Sequence, residues 1–529
     1  MKVVVPKARQ VDRVVTLASR EERMFAGPWS FVDTTKANAD HFIDGLCELL
    51  TSKGLAIGRR VRKPAPEAEL SEEQLKELRD ASTVVVECFG DCGASLSRAV
   101  LDASRLEAMG VPTAVVTSAE LAASGRLIAG GLGAPRLALV PLSYHFASLS
   151  AVGAAELGKE AYPEIEGHLS KAPKPEAGLT DARNWAEPTC SLSDDPVEAA
   201  REMDELGWTD GLPGVPPEAA SVRRVLEMAQ LTPDVLMPAV PPLGAPETAE
   251  RWAANAVLAG ARPEYFNAIV AAVEAVLDPA AGLMDSQNAT NPSAPVVFFN
   301  GPVVERLGLR SAGNCFGSGF SANAVIGRAV RLILHNLGGE DARVNDLSTH
   351  GQPGKFTFCF AEREDASPWA PWHVEKGFRA DDSVVTVVMG NAPQNIFAYG
   401  CTTADELLGY VVSNLVAPGH MNTMFATGPL LVLGPDHARL LARDGMDRRA
   451  VQEALFHRAR FPIANLPPNA RTALRSRRAN WFDVAGDAEN IGVADDPDDV
   501  HIVVAGGPGI HSCFVSTSFS KKPVTRLVR

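Results

Sequence analysis

From about residue 30 to residue 145 the chain alternates between two hydrophobic patterns. Short, nearly continuous apolar runs give way to longer stretches with helical spacing, and back again. The runs FVDTTK, LAIGRRVRK, STVVVECFG, VPTAVVTS and RLALVPLSY read as five strands. NADHFIDGLCELLTSKG, SEEQLKELRDA and ASLSRAVLDASRLEAMG read as helices, the first closing at Gly54 and the last at Gly110. Ser71 with Gln74, and Thr117 with Glu120, have the spacing of capping boxes.

Strands that are apolar almost throughout are buried on both faces, as in a parallel sheet covered by helices on each side. The pattern predicts an α/β fold, with an N-terminal flavodoxin-like or Rossmann-like three-layer domain at residues 1–167. The rhythm is lost at 168–195, a stretch rich in Pro, Lys and Glu that reads as a linker. Residues 196–529 form a larger mixed α/β domain, expected to close over the first and contribute to the substrate site. Its helices include PETAERWAANAVLAG, PEYFNAIVAAVEAVLD, SANAVIGRAVRLILHNLGG and TADELLGYVVSNL. Its strand-like runs are APVVFFN, KFTFCFA, SVVTVVMG, PLLVLG and VHIVVAGG. No internal repeat is read in it.

A chain of 529 residues is too long for one ordinary core. Its net charge of −14 and the lack of a basic stripe argue against a nucleic-acid partner. The N-terminus shows no signal peptide, and no apolar run is long enough to cross a membrane, so no membrane partner is expected. The eight cysteines are scattered and include no Cys-x-x-Cys pair, which fits a reducing cytoplasm rather than a disulfide scaffold. A cytoplasmic homo-oligomer acting on a small-molecule substrate, with no cofactor, is the expectation.

The chemistry is expected where strand order reverses, because ligands of open parallel sheets collect outside the C-terminal strand ends at that point. With the five strands in the order 2-1-3-4-5, the loop holding Thr34, Thr35 and Lys36, candidates to bind the substrate, would neighbour the corner Asp91-Cys92-Gly93-Ala94-Ser95. Cys92 would then sit at a helix N-terminus, where free N–H groups and the macrodipole favour an anion such as a thiolate. Lys36 would strengthen that field. Asp91 would handle a proton or cap the helix, and Ser95 could hydrogen-bond the sulfur. Gly93 would leave room for substrate to approach the backbone. The alternative is a small residue packed at a tight turn, with Asp91 as helix cap. Cys88, inside its strand, reads as core.

In the larger domain, Asn314, Gly317, Ser318, Gly319 and Ser321 precede a helix and could hold an anionic group of the substrate, or simply form a tight turn. His350 and Lys355 flank a Gly/Pro turn and are further substrate-binding candidates. Trp369, Trp372 and His373 could wall a pocket. His373 with Glu375 could be an acid–base pair, or part of a metal site with His350. The spacing matches no standard zinc motif. The amide-rich stretch DSQNATN before APVVFFN could bind a polar substrate or satisfy its own loop.

The block from DTTKANADHFIDGLCELL through GDCGASLSRAVLDASRLEAMGVPTAVV resembles the UGSC-type proteins. Further stretches, among them WTDGLPGVPP, NATNPSAPVVFFNGP, SPWAPWHVEKGF and VVAGGPGIHS, look like extended members of that family. The family carries selenocysteine or cysteine, then Gly, Ser and Cys, at the end of a strand. The resemblance implies that Cys92 takes the chalcogen position and Gly93 the glycine. Ala94 stands where the family has serine, and Ser95 where it has the second cysteine. Without a resolving thiol, a disulfide cycle is disfavoured against a nucleophilic role.

These readings converge on a thiol-dependent enzyme in which Cys92 attacks a small, anionic, electrophilic metabolite in lyase- or transferase-type catalysis. The alternatives are an oxidoreductase that forms a mixed disulfide at Cys92, a metal-dependent enzyme, and a non-catalytic small-molecule binding protein.

Overall fold

A computed structural model of the chain describes residues 1–9, 15–20, 27–170, 187–244, 246–340, 345–478, 481–482, 489–519 and 522–529. The chain starts on β1 (Lys2–Val4), whose Val3 and Val4 are buried among helices that follow residue 196, not with the neighbouring sheet. The N-terminal domain is built from β2 (Trp29–Asp33), α1 (Ala39–Ser52), β3 (Ile57–Arg62), α2 (Glu72–Ala81) and β4 (Val84–Gly90). It continues through α3 (Gly93–Ala108), β5 (Thr113–Ser118), α4 (Ala122–Gly131), β6 (Ala138–Leu142) and α5 (Ala151–Ser170).

The five strands β2 to β6 form one parallel sheet in the order β3-β2-β4-β5-β6, the expected flavodoxin-like arrangement. Helices α1 and α5 cover one face, packing Phe42, Leu46, Leu157 and Ile165 against Phe31, Val86 and Val116. Helices α2, α3 and α4 cover the other through Leu75, Leu78, Val100 and Ile128. Ser71 and Gln74 form the capping box of α2, with Gln74 N donating to Ser71 Oγ at 3.2 Å and Ser71 N to Gln74 Oε1 at 2.9 Å. Thr117 does not cap: it lies inside β5 and its hydroxyl donates to Gly90 O at 2.5 Å.

One charged cluster is sealed inside this domain. Lys63 Nζ lies 2.5 Å from Glu87 Oε1 in β4 and 2.7 Å from Asp102 Oδ2 in α3, with all three side chains fully buried. Burial pushes the Glu87 carboxyl up to about 8, against the opposing pull of Lys63.

The second region does not start where the sequence suggests. α5 runs on to Ser170, and β7 (Thr189–Ser191), within the expected linker, pairs antiparallel with β1. The rest of that linker, 171–186, lies outside the described residues. Residues 1–9 thus pack with the second region rather than with the parallel sheet. A small ribbon of β8 (Leu236–Met237) and β9 (Glu247–Thr248) follows.

Two four-stranded sheets then form a sandwich. The first contains β10 (Ala294–Asn300), β11 (Cys359–Ala361) and β12 (Val384–Gly390). The second contains β13 (Gln394–Phe397), β14 (Leu430–Leu433), β17 (His501–Val504) and β18 (His511–Val515). The ribbon of β15 (Arg460–Pro462) and β16 (Asn490–Gly492) stands apart, and β19 (Val524–Leu527) completes the first sheet. Alternate residues define four layers. Val296, Phe298 and Val388 meet Leu430, Val432, Val503 and Val515 between the sheets. Val297, Phe299, Val387 and Met389 face helices Ala249–Leu258, Phe266–Val276 and Ser321–Gly338. Leu431, Leu433, Ile502 and Phe514 face helices Ala404–Leu415, Pro435–Arg443 and Arg448–Arg458.

The two sheets repeat one plan. β10 is parallel to β11 and antiparallel to β12, and β14 is parallel to β17 and antiparallel to β18. The fourth strands are exchanged. β13, which follows β12, pairs with β18, whereas β19, which follows β18, pairs with β12. The registers correspond: Val384 faces Leu527 and Val387 faces Val524, as His511 faces Phe397 and Phe514 faces Gln394. Gly390, the last residue of β12, bridges Thr517, two residues past the end of β18. The sequence reading of no internal repeat is corrected. Among the described residues no helix is long and apolar enough to cross a membrane.

Candidate functional site

β2 ends at Asp33 and β4 at Gly90, side by side at the point where strand order reverses. Lys36, from the loop after β2, places its Nζ 2.8 Å from Asp91 Oδ1, in the loop after β4. Lys36 also lies within range of Cys92 for their charges to interact. Burial pulls the Lys36 ammonium down, but Cys92 and Asp91 together raise it above its ordinary value, so the group is a held cation.

Cys92 is the N-cap of α3, with extended backbone, and is half-buried. Its N–H donates to Ser95 Oγ at 3.2 Å, and its Sγ lies 3.3 Å from the same hydroxyl. Ser95 is fully buried. Sulfur, ammonium, carboxylate and hydroxyl therefore converge on one helix terminus. Cys88 is sealed in the sheet, and burial puts its thiol well above the ordinary range.

The other residues of the first loop divide. Thr34 is fully buried, its hydroxyl accepting from Phe89 N at 2.6 Å and donating to Cys88 O at 2.8 Å. It ties β2 to β4 and has no group left for a substrate, which corrects that expectation. Thr35 stays half-buried at the rim, in a left-handed conformation (φ 61°) that β-branched residues rarely adopt, held by Asp33 Oδ1 accepting from its N–H at 2.8 Å.

Gly93 also has a different role from the one expected. A Cβ there would lie 1.4 Å from the carbonyl oxygen of Asn288. The space is filled by the second region, not left for substrate. Around this contact Arg98 of α3 reaches Asp285 with both Nε (3.3 Å) and an Nη (3.2 Å). The amide-rich stretch before β10 is therefore docked on the first turns of α3. Nothing in the local pattern announced Asn288 as its centre; the run of amides in DSQNATN was the only available signal.

The second-region candidates fall at the two ends of β10. The segment 345–352 lies at the near end: Thr349 N donates to Thr290 O at 3.0 Å, and Gln352 Nε2 to Pro292 O at 2.8 Å. His350 is exposed there. Lys355 is taken up by Asp346 at 2.7 Å, with Glu340 at 3.8 Å, so it is not a free cation awaiting a substrate anion.

The far end of β10, about 20 Å along the strand, holds the rest. Asn300 Nδ2 donates to Glu362 Oε2 at 2.5 Å and to Glu364 Oε1 at 2.9 Å. His373 is fully buried and lies 3.7 Å from Glu364, whereas Glu375 turns away to Arg448 at 2.5 Å. The expected His373–Glu375 pair is not formed, and neither residue shares a site with Cys92. Arg448 also reaches Glu362 at 3.1 Å, and burial pushes that carboxyl up to about 7. Trp369, Trp372, Lys376 and Arg448 line a cleft of about 330 Å³ here. Asn314 closes its own loop, donating to Ser318 O at 2.9 Å and filling the space beside Gly317; Ser318 and Gly319 are exposed in that loop, which follows the far end of β10, and Ser321 is exposed as the first residue of the helix after it. This anion-site candidate likewise stands apart from Cys92. Among the described residues no group of three or more His, Cys, Asp or Glu is arranged to hold a metal ion.

Among curated proteins and solved structures, none matches the chain significantly. A family model does match, described as the UGSC family, over residues 2–171. That span contains the whole parallel sheet, its covering helices and the Lys36–Asp91–Cys92–Ser95 corner. Residues 2–171 are thus similar to the UGSC family.

Proposed function

We propose that this chain is a thiol-dependent enzyme whose nucleophile is Cys92, acting on a small, anionic, electrophilic metabolite. The observation that carries the reading is the Lys36–Asp91 ion pair set next to Cys92, the N-cap of α3. A half-buried cation near sulfur is the setting of reactive thiols, and the helix terminus adds its positive end. The Cys92 thiol gives its proton to Asp91 as sulfur adds to the electrophilic carbon: the C–S bond forms, the substrate's C=O or activated C=C π bond breaks, and its electron pair moves onto the substrate oxygen. The Lys36 ammonium steadies the charge that develops, and Asp91, its partner, relays the proton. After a β-substituent leaves with its bonding pair, or an acceptor nucleophile takes the substrate carbon, the C–S bond breaks, its electron pair returns to sulfur and Asp91 gives the proton back to the thiol. Ser95 holds Sγ in place. A reducing cytoplasm suits a site that depends on a free thiol.

The test is competitive alkylation with iodoacetamide and iodoacetate, read by peptide mapping of all eight cysteines. Cys92 should label fastest, with the anionic reagent gaining on the neutral one relative to free cysteine. A screen of carboxylic acids bearing carbonyl or activated alkene groups should then find adducts by intact mass that are lost in Cys92→Ala. Labelling of Cys92 no faster than of half-buried Cys401, or a turnover that survives Cys92→Ala, would end the proposal.

A further inference from the structure

We infer that Asn288 is a positioning residue for Cys92: it grips the first turn of α3 from the second region and sets where the sulfur points. The inference rests on the reading of Cys92 as the reactive thiol.

Asn288 is fully buried and uses both ends of its amide. Its Nδ2 donates to Ser97 Oγ and to Met284 O, each at 3.1 Å. Its Oδ1 accepts from Asn345 Nδ2 at 3.1 Å and from Ser124 Oγ of α4 at 3.5 Å. Ser97 passes the contact on, its hydroxyl donating to Gly93 O at 2.8 Å. Gly93 is the residue next to Cys92, and the Asn288 carbonyl occupies the place of its missing Cβ. One residue thus holds Gly93 by its main chain and, through Ser97, by its side chain.

The turn so held carries Cys92 with it. Leu96 N donates to Cys92 O at 2.9 Å and Ser95 Oγ to the same oxygen at 3.1 Å, so the N-cap moves with the turn. Lys36 comes from the other side, out of the parallel sheet. The sulfur is therefore located between a cation supplied by one region and a helix end fixed by the other. Only an amide can donate to Ser97 and Met284 while accepting from Asn345 and Ser124 without burying a charge.

The experiment uses the full chain and the variants Asn288→Ala, Ser97→Ala, their double, and Ser97→Thr, which keeps the hydroxyl. Cys92 alkylation by iodoacetamide is read across pH 6–9 against Cys401 in the same sample, together with amide exchange of the peptide spanning 91–100. Each alanine variant should slow Cys92 at least tenfold relative to Cys401 and speed exchange of the first turn at least tenfold. The double should be no worse than the worse single, since both act through one bond, and Ser97→Thr should restore the rate. Wild-type rates and exchange in Ser97→Ala, the mildest variant, would overturn the inference. If wild-type Cys92 labels no faster than Cys401, the nucleophile reading fails by itself. Amide exchange then decides alone: faster exchange in both alanine variants supports Asn288 as the residue that sets the corner, and unchanged exchange overturns it.

Discussion

Glu87→Gln turns the buried Lys63–Glu87–Asp102 cluster into a measurable pH dependence. The Glu87 carboxyl sits at about 8 in the folded chain, where burial outweighs the pull of Lys63, against an ordinary value of 4.5. An acid raised on folding contributes stability that is full below its unfolded value and lost as pH climbs through its folded value. Between those limits the unfolded chain ionises Glu87 while the folded chain keeps it protonated. The stability lost is about 1 kcal/mol at pH 5 and about 4 kcal/mol at pH 7.5, at about 1.36 kcal/mol per unit. Glutamine cannot ionise, so it escapes this loss, while the cost of altering contacts to Lys63 is common to both pH values. Relative to wild type, Glu87→Gln should therefore gain about 3 kcal/mol between pH 5 and pH 7.5. Urea denaturation at the two pH values reads the difference directly. A difference that stays constant with pH, or that shifts the other way, would refute the protonated buried carboxyl.

Gly93→Ala drives a methyl group into the Asn288 carbonyl, which no rotamer change relieves, and should cost about 3 kcal/mol with a matching fall in melting temperature. Lys36→Met should slow Cys92 alkylation at neutral pH by at least about tenfold, with Lys36→Arg slowing it less. Ser95→Ala removes the acceptor of Cys92 N–H and should cost about 1 kcal/mol, seen as a lower urea midpoint. Arg448→Met leaves Glu362 without its charged partner and should cost about 3–5 kcal/mol, least at low pH where Glu362 is protonated.

The parallel domain was legible because its apolar runs carry burial on both faces in their own composition. Val84, Val85 and Val86 are all buried, as a covered strand requires. The meeting of Lys36 with Asp91, next to Cys92, followed from strand order alone, since the two loops end adjacent strands. The sandwich was legible only in pieces. KFTFCFA reads as a strand from its first residue, yet β11 begins at Cys359, because Pro353–Lys355 forms a turn and Phe356 is exposed. The repeat was hidden although VVFFNGPVVERLG and LLVLGPDHARLLARDG share a strand, a Gly-Pro step and a helix. Strand exchange moves the fourth member of each half into the other sheet, so neighbours in sequence are not neighbours in space. The position of Asn288 was unreadable for a similar reason: what matters is a contact with Gly93 in another region, and local periodicity carries no record of it.

The exchanged strands also bear on how the chain is made. Thr386 and Thr525, paired across β12 and β19, stand 139 positions apart, and Asn395 meets His511 over 116. While the ribosome adds the second half, β12 waits with one flank bare and β13 has no sheet to join. The N-terminal βαβ units face no such delay and can settle as they emerge. During synthesis the nascent chain therefore carries a finished parallel-sheet domain ahead of a sandwich with open, adhesive edges. Chaperone demand should concentrate on that interval, and stop codons placed before β19 should yield aggregating products whose first domain is intact.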